Sequence, residues 1–246
     1  MNNTLIVIPC RMGSKRLPGK PLMKFQGIPM VIRIAQLAIK YNIGDVLIAC
    51  CDDEVYEVAK KYKVDVIMTS KRHNSGSDRV FEAINKIDPK KKYYNIINLQ
   101  GDMPTVSKNM LEKLLEYKIS SNFEIATLAA EIVDKNEEED SNVVKVVFSN
   151  YTGSAGGRAL YFSRSKIPFG IGPLFHHIGL YCYDRDSLEK FVNLSKSKLE
   201  SLESLEQLRA LEAGMSIFVG KINEVPLGVD NLADFEKATD YINKYG

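Results

Sequence analysis

At 246 residues the chain can bury the core of one large α/β domain, and 45% hydrophobic with 26% charged residues is the balance of a globular protein, not a disordered or fibrous one. A formal net charge of +2 is too small to recruit nucleic acid or an anionic membrane, and no apolar run approaches the length of a membrane span. Four cysteines (Cys10, Cys50, Cys51 and Cys182) lack metal-ligand spacing and fall in predicted strands, and no charged and apolar leader opens the chain, so we expect reduced core thiols in a cytoplasmic protein.

Residues 5–10 form a short apolar run ended by a polar loop, which predicts a buried first strand. Pro29 suits a first helical turn, and Ile32, Ala35, Leu37 and Ile39 predict the apolar face of a helix reaching Gly44. Residues 46–51 predict a second strand, with Asp52 as N-cap of a helix over 53–62. Strands over 64–68 and 94–99 and helices over 78–87 and 110–117 continue the alternation. This βα order predicts a mostly parallel sheet that collects ligands at the carboxyl ends of its strands. From about residue 124 the pattern becomes mixed α/β, with strands over 124–132, 143–148, 158–162 and 178–183 and turn signals over 151–157. The acidic run 137–140 reads as a solvated loop, and leucines 199, 202, 205, 208 and 211 predict one helix. We read residues 1–246 as a single domain, with 1–120 mainly for a nucleotide and 121–246 mainly for a second substrate and dimerisation.

Charge is unevenly distributed. No acidic residue precedes Asp45, whereas Arg11, Lys15, Arg16, Lys20, Lys24, Arg33 and Lys40 are basic. Residues 8–22 read IPCRMGSKRLPGKPL and leave a buried strand with four cations and two glycines. Gly13 and Gly19 permit close backbone approach to a phosphate, and Arg11 and Lys20 can neutralise charge that grows during nucleotidyl transfer. The loop has neither Walker spacing nor the dinucleotide fingerprint, and its bland reading is a solvated surface.

The same stretch resembles the N-terminal signature of the sugar-acid cytidylyltransferases, whose common form has Ala where this chain has Cys10. The resemblance continues through ACCDDEV (49–55), HNSGSDR (73–79), NLQGDMP (98–104), LYFSRSKIP (160–168), HIGLYCY (177–183), LEQLRALEAG (205–214) and VPLGVDNLADF (225–235), and so covers essentially the whole chain. Within that family the blocks are most similar to enzymes acting on the eight-carbon acid 3-deoxy-D-manno-octulosonate (Kdo), rather than on sialic acid. The resemblance implies an α/β, Rossmann-like nucleotide-diphospho-sugar transferase fold with a mostly parallel central sheet and a mixed α/β dimerisation region. It also implies a homodimer, CTP and Kdo as substrates, Mg²⁺ as cofactor, and CMP-Kdo for lipopolysaccharide synthesis.

Asp102 follows a predicted strand at the sheet's carboxyl edge, where an Asp beside Gly commonly closes a turn or caps a helix; Asp230, before the last helix, reads equally as an N-cap. The resemblance instead makes both Mg²⁺ ligands, consistent with a cation held by one or two carboxylates plus phosphate oxygens. It makes Arg11, Lys20, Asp102 and Asp230 the catalytic set. The nucleotide set is Pro9, Cys10, Arg11, Lys20, His73, Ser75, Gly76, Arg79 and Gln100. Without it, residues 73–79 form a loop in which Ser77 caps the following helix and Arg79 is solvated. Arg164 offers a fork for the sugar carboxylate; with His177, Tyr181, Glu206 and Gln207 it forms the implied sugar set, although polar neighbours of a leucine stripe are normally its wet face. Met103 stands where the family usually has Glu, and residues 170–173 look trimmed. Alternatives are a cytidylyltransferase for sialic or another ulosonic acid and a catalytically silent nucleotide-binding subunit.

Overall fold

The computed structural model describes residues 3–13, 16–149 and 155–245. The chain divides into two compact units, Met1–Leu111 with Pro226–Gly246, and Glu112–Val225. That division differs from the boundary read at 120: the last segment of the chain returns to the first unit. The turn signals at 151–154 and Lys15 lie outside the described residues.

In the first unit β1 (Thr4–Pro9) is buried along its whole length, and the hairpin β2 (Lys24–Phe25) and β3 (Ile28–Pro29) leads into α1 (Met30–Tyr41). Pro29 is the N-cap of α1, extended at ψ 141°, rather than part of its first turn. The buried face runs through Val31, Ile34, Ala35 and Ala38, the i, i+3, i+4, i+7 set, and leaves Ile39 49% exposed where the sequence reading had it inside. The βα alternation then proceeds through β4 (Asp45–Cys50), α2 (Asp53–Lys61), β5 (Val66–Met68), α3 (Gly76–Ile87) and β6 (Asn95–Asn98). The strands lie in the order β5-β4-β1-β6 and all pair parallel. Such a sheet needs both faces covered, which explains why its strands are continuous Val/Ile/Leu runs instead of alternating ones. Helix α4 (Lys108–Ser120) leads out of this unit.

The second unit holds β7 (Ile125–Glu131), α5 (Lys135–Glu139), β8 (Lys145–Phe148), β9 (Gly156–Ser163), β10 (Phe175–Asp184), α6 (Arg185–Val192), α7 (Lys198–Glu203), α8 (Leu208–Glu212) and β11 (Ile217–Ile222). Its strands run β10-β7-β11-β9-β8, mostly antiparallel, with Lys145 of β8 also bridging His176 of β10. The acidic run is the short helix α5, not a loop, capped by Asp134. The leucine stripe is not one helix either: Ser204, left-handed at φ 55°, stops α7 before α8 begins. Leucines three residues apart slip backwards around a helix at each step and so cannot share one face. The tyrosine of α4, Tyr117, lies directly on Gly220 of β11, where a Cβ would meet its ring at 2.1 Å.

Helix α9 (Leu232–Tyr245) completes the first unit, packing Phe235 against Phe25 at 4.6 Å between the centroids of tilted rings.

Candidate active site

The carboxyl ends of β1 and β6 and the loops following β1, β5 and β6 enclose a cavity of about 510 Å³ in the first unit. Its lining includes Pro9, Cys10, Arg11, Gly13, Arg16, Lys20, His73, Ser75, Gly76, Arg79, Gln100, Asp102 and Asp230. Every residue of the expected nucleotide set, and both expected metal ligands, therefore line one cavity. Its volume is in the ordinary range for a small-molecule site.

The basic loop is held by an acid that the sequence reading placed elsewhere. Asp52 stands at the N-cap of α2 but makes no side-chain cap; its Oδ2 accepts the Met12 amide at 2.8 Å. Gly19, left-handed at φ 73°, then turns the chain into a 3-10 turn at Lys20–Leu22, aiming the Lys20 side chain inward. Close packing on the opposite wall is set by Gly101, where a Cβ would meet the Pro9 carbonyl oxygen at 3.0 Å.

Lys20 Nζ is the centre of the polar array. It donates to Val229 O at 2.8 Å and Asp102 Oδ2 at 3.0 Å, and lies 3.4 Å from Asp230 Oδ1, with its side chain only 13% exposed. Arg16 Nη2 sits 3.0 Å from the other oxygen of Asp230. Neither carboxylate spends itself on a helix cap. Ser107 Oγ accepts from Met110 N at the start of α4, and Asn231 Oδ1 accepts from Asp234 N at the start of α9. Asp234 returns the favour to the Asp230 and Asn231 amides at 3.0 and 3.2 Å, so Asp230 is positioned by its backbone and left to face the cations. The two acidic segments are sewn together by Val229 N to Asp102 O (2.9 Å) and Leu227 N to Thr105 Oγ1 (2.7 Å). Two carboxylates and a carbonyl already gathered around one cation form a hard-oxygen donor set of the type Mg²⁺ takes. Among the described residues no group of three or more His, Cys, Asp or Glu offers an alternative metal site.

On the far wall Ser75, not Ser77, caps α3 by accepting from Asp78 N at 3.1 Å; Ser77 is buried. Arg79 is 3% exposed, not solvated, and its Nη1 donates to Thr69 Oγ1 and to Ser70 O. His73 Nε2 meets Glu82, whose carboxylate also accepts the Ser70 amide and pairs with Lys86. Although burial opposes it, this set of partners, Lys86 first, holds the Glu82 carboxyl down at about 2. Burial, reinforced by Cys50, pushes the Cys10 thiol well above its usual range, so it is wall rather than nucleophile.

The expected sugar set lies in the second unit. His177 and Tyr181 are ring neighbours at 5.6 Å on β10, across a bulge between Ile178 and Tyr181. Thr127 donates its hydroxyl proton toward Leu180 O at 2.8 Å, so it accepts from His177 Nε2 at 3.0 Å. The imidazole is thereby a neutral Nε2–H tautomer with Nδ1 as acceptor, and burial takes its pKa down to about 3. Burial, then the nearby Glu206 carboxylate, raises the Tyr181 phenol. Glu206 pairs with Arg209, and Gln207 is 6% exposed, which corrects its placement on a wet face. Arg164 directs Nε to Glu203 O and Nη1 to Ser141 O, both at 2.9 Å, so Nη2 is the atom left to meet a ligand carboxylate.

Residues 5–217 match the family model described as cytidylyltransferase. A 3-deoxy-manno-octulosonate cytidylyltransferase of Rhizobium etli is 47% identical over 97% of this chain and 94% of that protein. Its counterpart in Paramagnetospirillum magneticum is 46% identical over 95% of each. The chain belongs to the 3-deoxy-manno-octulosonate cytidylyltransferase family. A CMP:2-keto-3-deoxy-manno-octonic acid synthetase solved in complex with CTP superposes with a TM-score of 0.89, at 35% identity and 98% coverage of both chains. A Leptospira borgpetersenii cytidylyltransferase, 17% identical with a TM-score of 0.64 over 100% of this chain and 89% of that one, shares the fold.

Arg16, which lines the cavity, and Asp52 and Glu82, which brace its loops, were not assigned to the site from sequence. Each is a charged residue in or beside a motif already quoted. Their roles depend on long-range partners 214, 40 and 9 to 12 positions away, which local spacing does not reveal.

Proposed function

We propose that the chain transfers CMP from CTP to Kdo with Mg²⁺, releasing pyrophosphate and supplying CMP-Kdo for lipopolysaccharide synthesis. The observation that carries this reading is Lys20 Nζ held between Asp102 and Asp230 in a cavity walled by the basic loop. The anomeric hydroxyl of Kdo attacks the α-phosphorus of CTP in line, the bond to the pyrophosphate oxygen breaks, and the hydroxyl proton passes to solvent. Arg11, Lys20 and Arg16 bind and orient the phosphates and stabilise the charge that moves onto the leaving group. Asp102 and Asp230 would hold Mg²⁺, which when bound supplies Lewis-acid stabilisation of the phosphates. The 73–79 loop, with Arg79 and Gln100, faces the nucleoside. Arg164 offers Nη2 to the sugar carboxylate, while His177 Nδ1 accepts from a sugar hydroxyl; a neutral histidine suits the hydroxyl better than the acid group.

Four buried free thiols support a reducing, cytoplasmic setting. No helix among the described residues is long and apolar enough to cross a membrane. A homodimer completes this reading, with Leu160 on β9 (59%) and Leu202 on α7 (71%) among the exposed apolar side chains of the second unit.

The test is pyrophosphate release from CTP with Kdo or sialic acid, each with Mg²⁺ or with excess chelator. Release with Kdo that chelator abolishes is expected. Release with sialic acid alone would move the substrate, and CTP binding without turnover would leave a silent nucleotide-binding subunit.

A further inference from the structure

Lys20 occupies its position with all three of its protons committed to oxygens, two of them on the carboxylates that a metal would need. An ammonium group has three donors and no acceptor, and here they meet Asp102 Oδ2, Val229 O and, at longer range, Asp230 Oδ1. Arg16 covers the remaining oxygen of Asp230. Two negative charges are thus matched by two positive ones within the protein itself. A strongly hydrated divalent ion gains little by shedding water to enter a pair that is already neutralised. A triphosphate changes that balance, because it presents several negative charges to the same two cations and adds its own oxygens to the carboxylates.

We propose that Lys20, assisted by Arg16, is an exchangeable counter-ion that holds the Asp102–Asp230 pair together and closed to metal until the nucleotide draws it away. The inference rests on the proposed role of Asp102 and Asp230 as metal ligands. The two cations differ in their freedom: the Lys20 side chain is 13% exposed and that of Arg16 61% exposed, so Lys20 is the principal lock and Arg16 the outer one. The arrangement couples metal entry to nucleotide entry and prevents the empty site from sequestering a divalent cation. It also keeps two like charges from repelling each other and splaying the loops after β6 and before α9.

The test is Mn²⁺ binding to the full-length protein, followed by electron paramagnetic resonance without nucleotide and again with a CTP analogue carrying a methylene bridge between the α and β phosphorus atoms. Nucleotide-free wild type should bind Mn²⁺ weakly, and the analogue should tighten binding strongly. Lys20→Met, or Lys20→Gln should the first variant fold poorly, should bind Mn²⁺ at least tenfold more tightly than wild type without nucleotide. Adding Asp102→Asn to that variant should reverse the gain. A merely structural lysine predicts the opposite sign, since its loss would disorder the carboxylates and weaken metal binding. Unchanged or weaker binding in both lysine variants overturns the counter-ion role even if Asp102→Asn still abolishes Mn²⁺ in the analogue complex. If Asp102→Asn leaves Mn²⁺ in that complex intact, the ligand assignment itself is wrong, and the inference goes with it.

Discussion

Asp52 shows how a residue's type can be right for one role and used for another. An acid directly before a helix is read as a cap, yet its carboxylate turns to the Met12 amide and pins the basic loop over the cavity. Hydrogen bonds to charged groups contribute about 1.5–3 kcal/mol, so Asp52→Ala should raise the KM for CTP roughly tenfold while kcat falls less, and Asp52→Asn, which still offers an oxygen, should recover most of the loss. Initial rates against CTP concentration decide it; an unchanged KM would remove Asp52 from the loop's support. Thr127 makes the parallel case for the sugar. By accepting from His177 Nε2 it selects the tautomer, so Thr127→Val should raise the KM for Kdo several-fold with the KM for CTP unchanged, and Thr127→Ser should restore it. At this scale the gathering of Lys20, Asp102, Asp230 and the 73–79 loop around one cavity was legible only through the family resemblance, since spacing alone makes Asp102 and Asp230 a turn residue and an N-cap. Which serine caps α3, and that Arg79 is buried, were not, since Ser75 and Ser77 are equally good caps on paper and only packing chooses between them.

Among the elements, the parallel half, apart from the β2–β3 hairpin, was readable to within about three residues because continuous apolar strands alternate with amphipathic helices. The stretch 197–214 was not: a leucine every third residue suggests a stripe, while the left-handed Ser204 that divides it carries no sequence signal beyond being polar. Glycine inside a strand was likewise silent until the structure placed Tyr117 on Gly220, with its hydroxyl donating to Lys221 O at 3.2 Å. Gly220→Ala should therefore force α4 from β11 and cost about 2–3 kcal/mol, as overpacking does. Thermal unfolding should show a midpoint lowered by roughly 5–10 °C for a chain of this size. A change within error would mean that the tyrosine ring swings aside freely.

For the whole molecule, pH acts through the buried histidines of the second unit. Burial lowers His176 to about 4 and His177 to about 3, below the ordinary 6.5. Between those values and 6.5 the unfolded chain takes up protons that the folded one refuses, so stability is fully present above pH 6.5 and declines as pH falls. The loss for His177 between pH 7 and 5 is about 2 kcal/mol, with less from the more exposed His176; Glu82 contributes only below its ordinary 4.5. Urea unfolding at both pH values should show this decline, and His177→Asn should remove much of it; an identical slope in the variant would exclude His177 as its source. What sequence order concealed at this scale was the chain's path: residues 226–246 rejoin the unit formed by residues 1–111, so the segment carrying Asp230 meets that of Asp102, through Val229 N, only after 112–225 have intervened. Translation consequently delivers the partner carboxylate last. A polypeptide cut before residue 230 would keep the cationic loop and Asp102 yet lack half of the acidic clasp around Lys20.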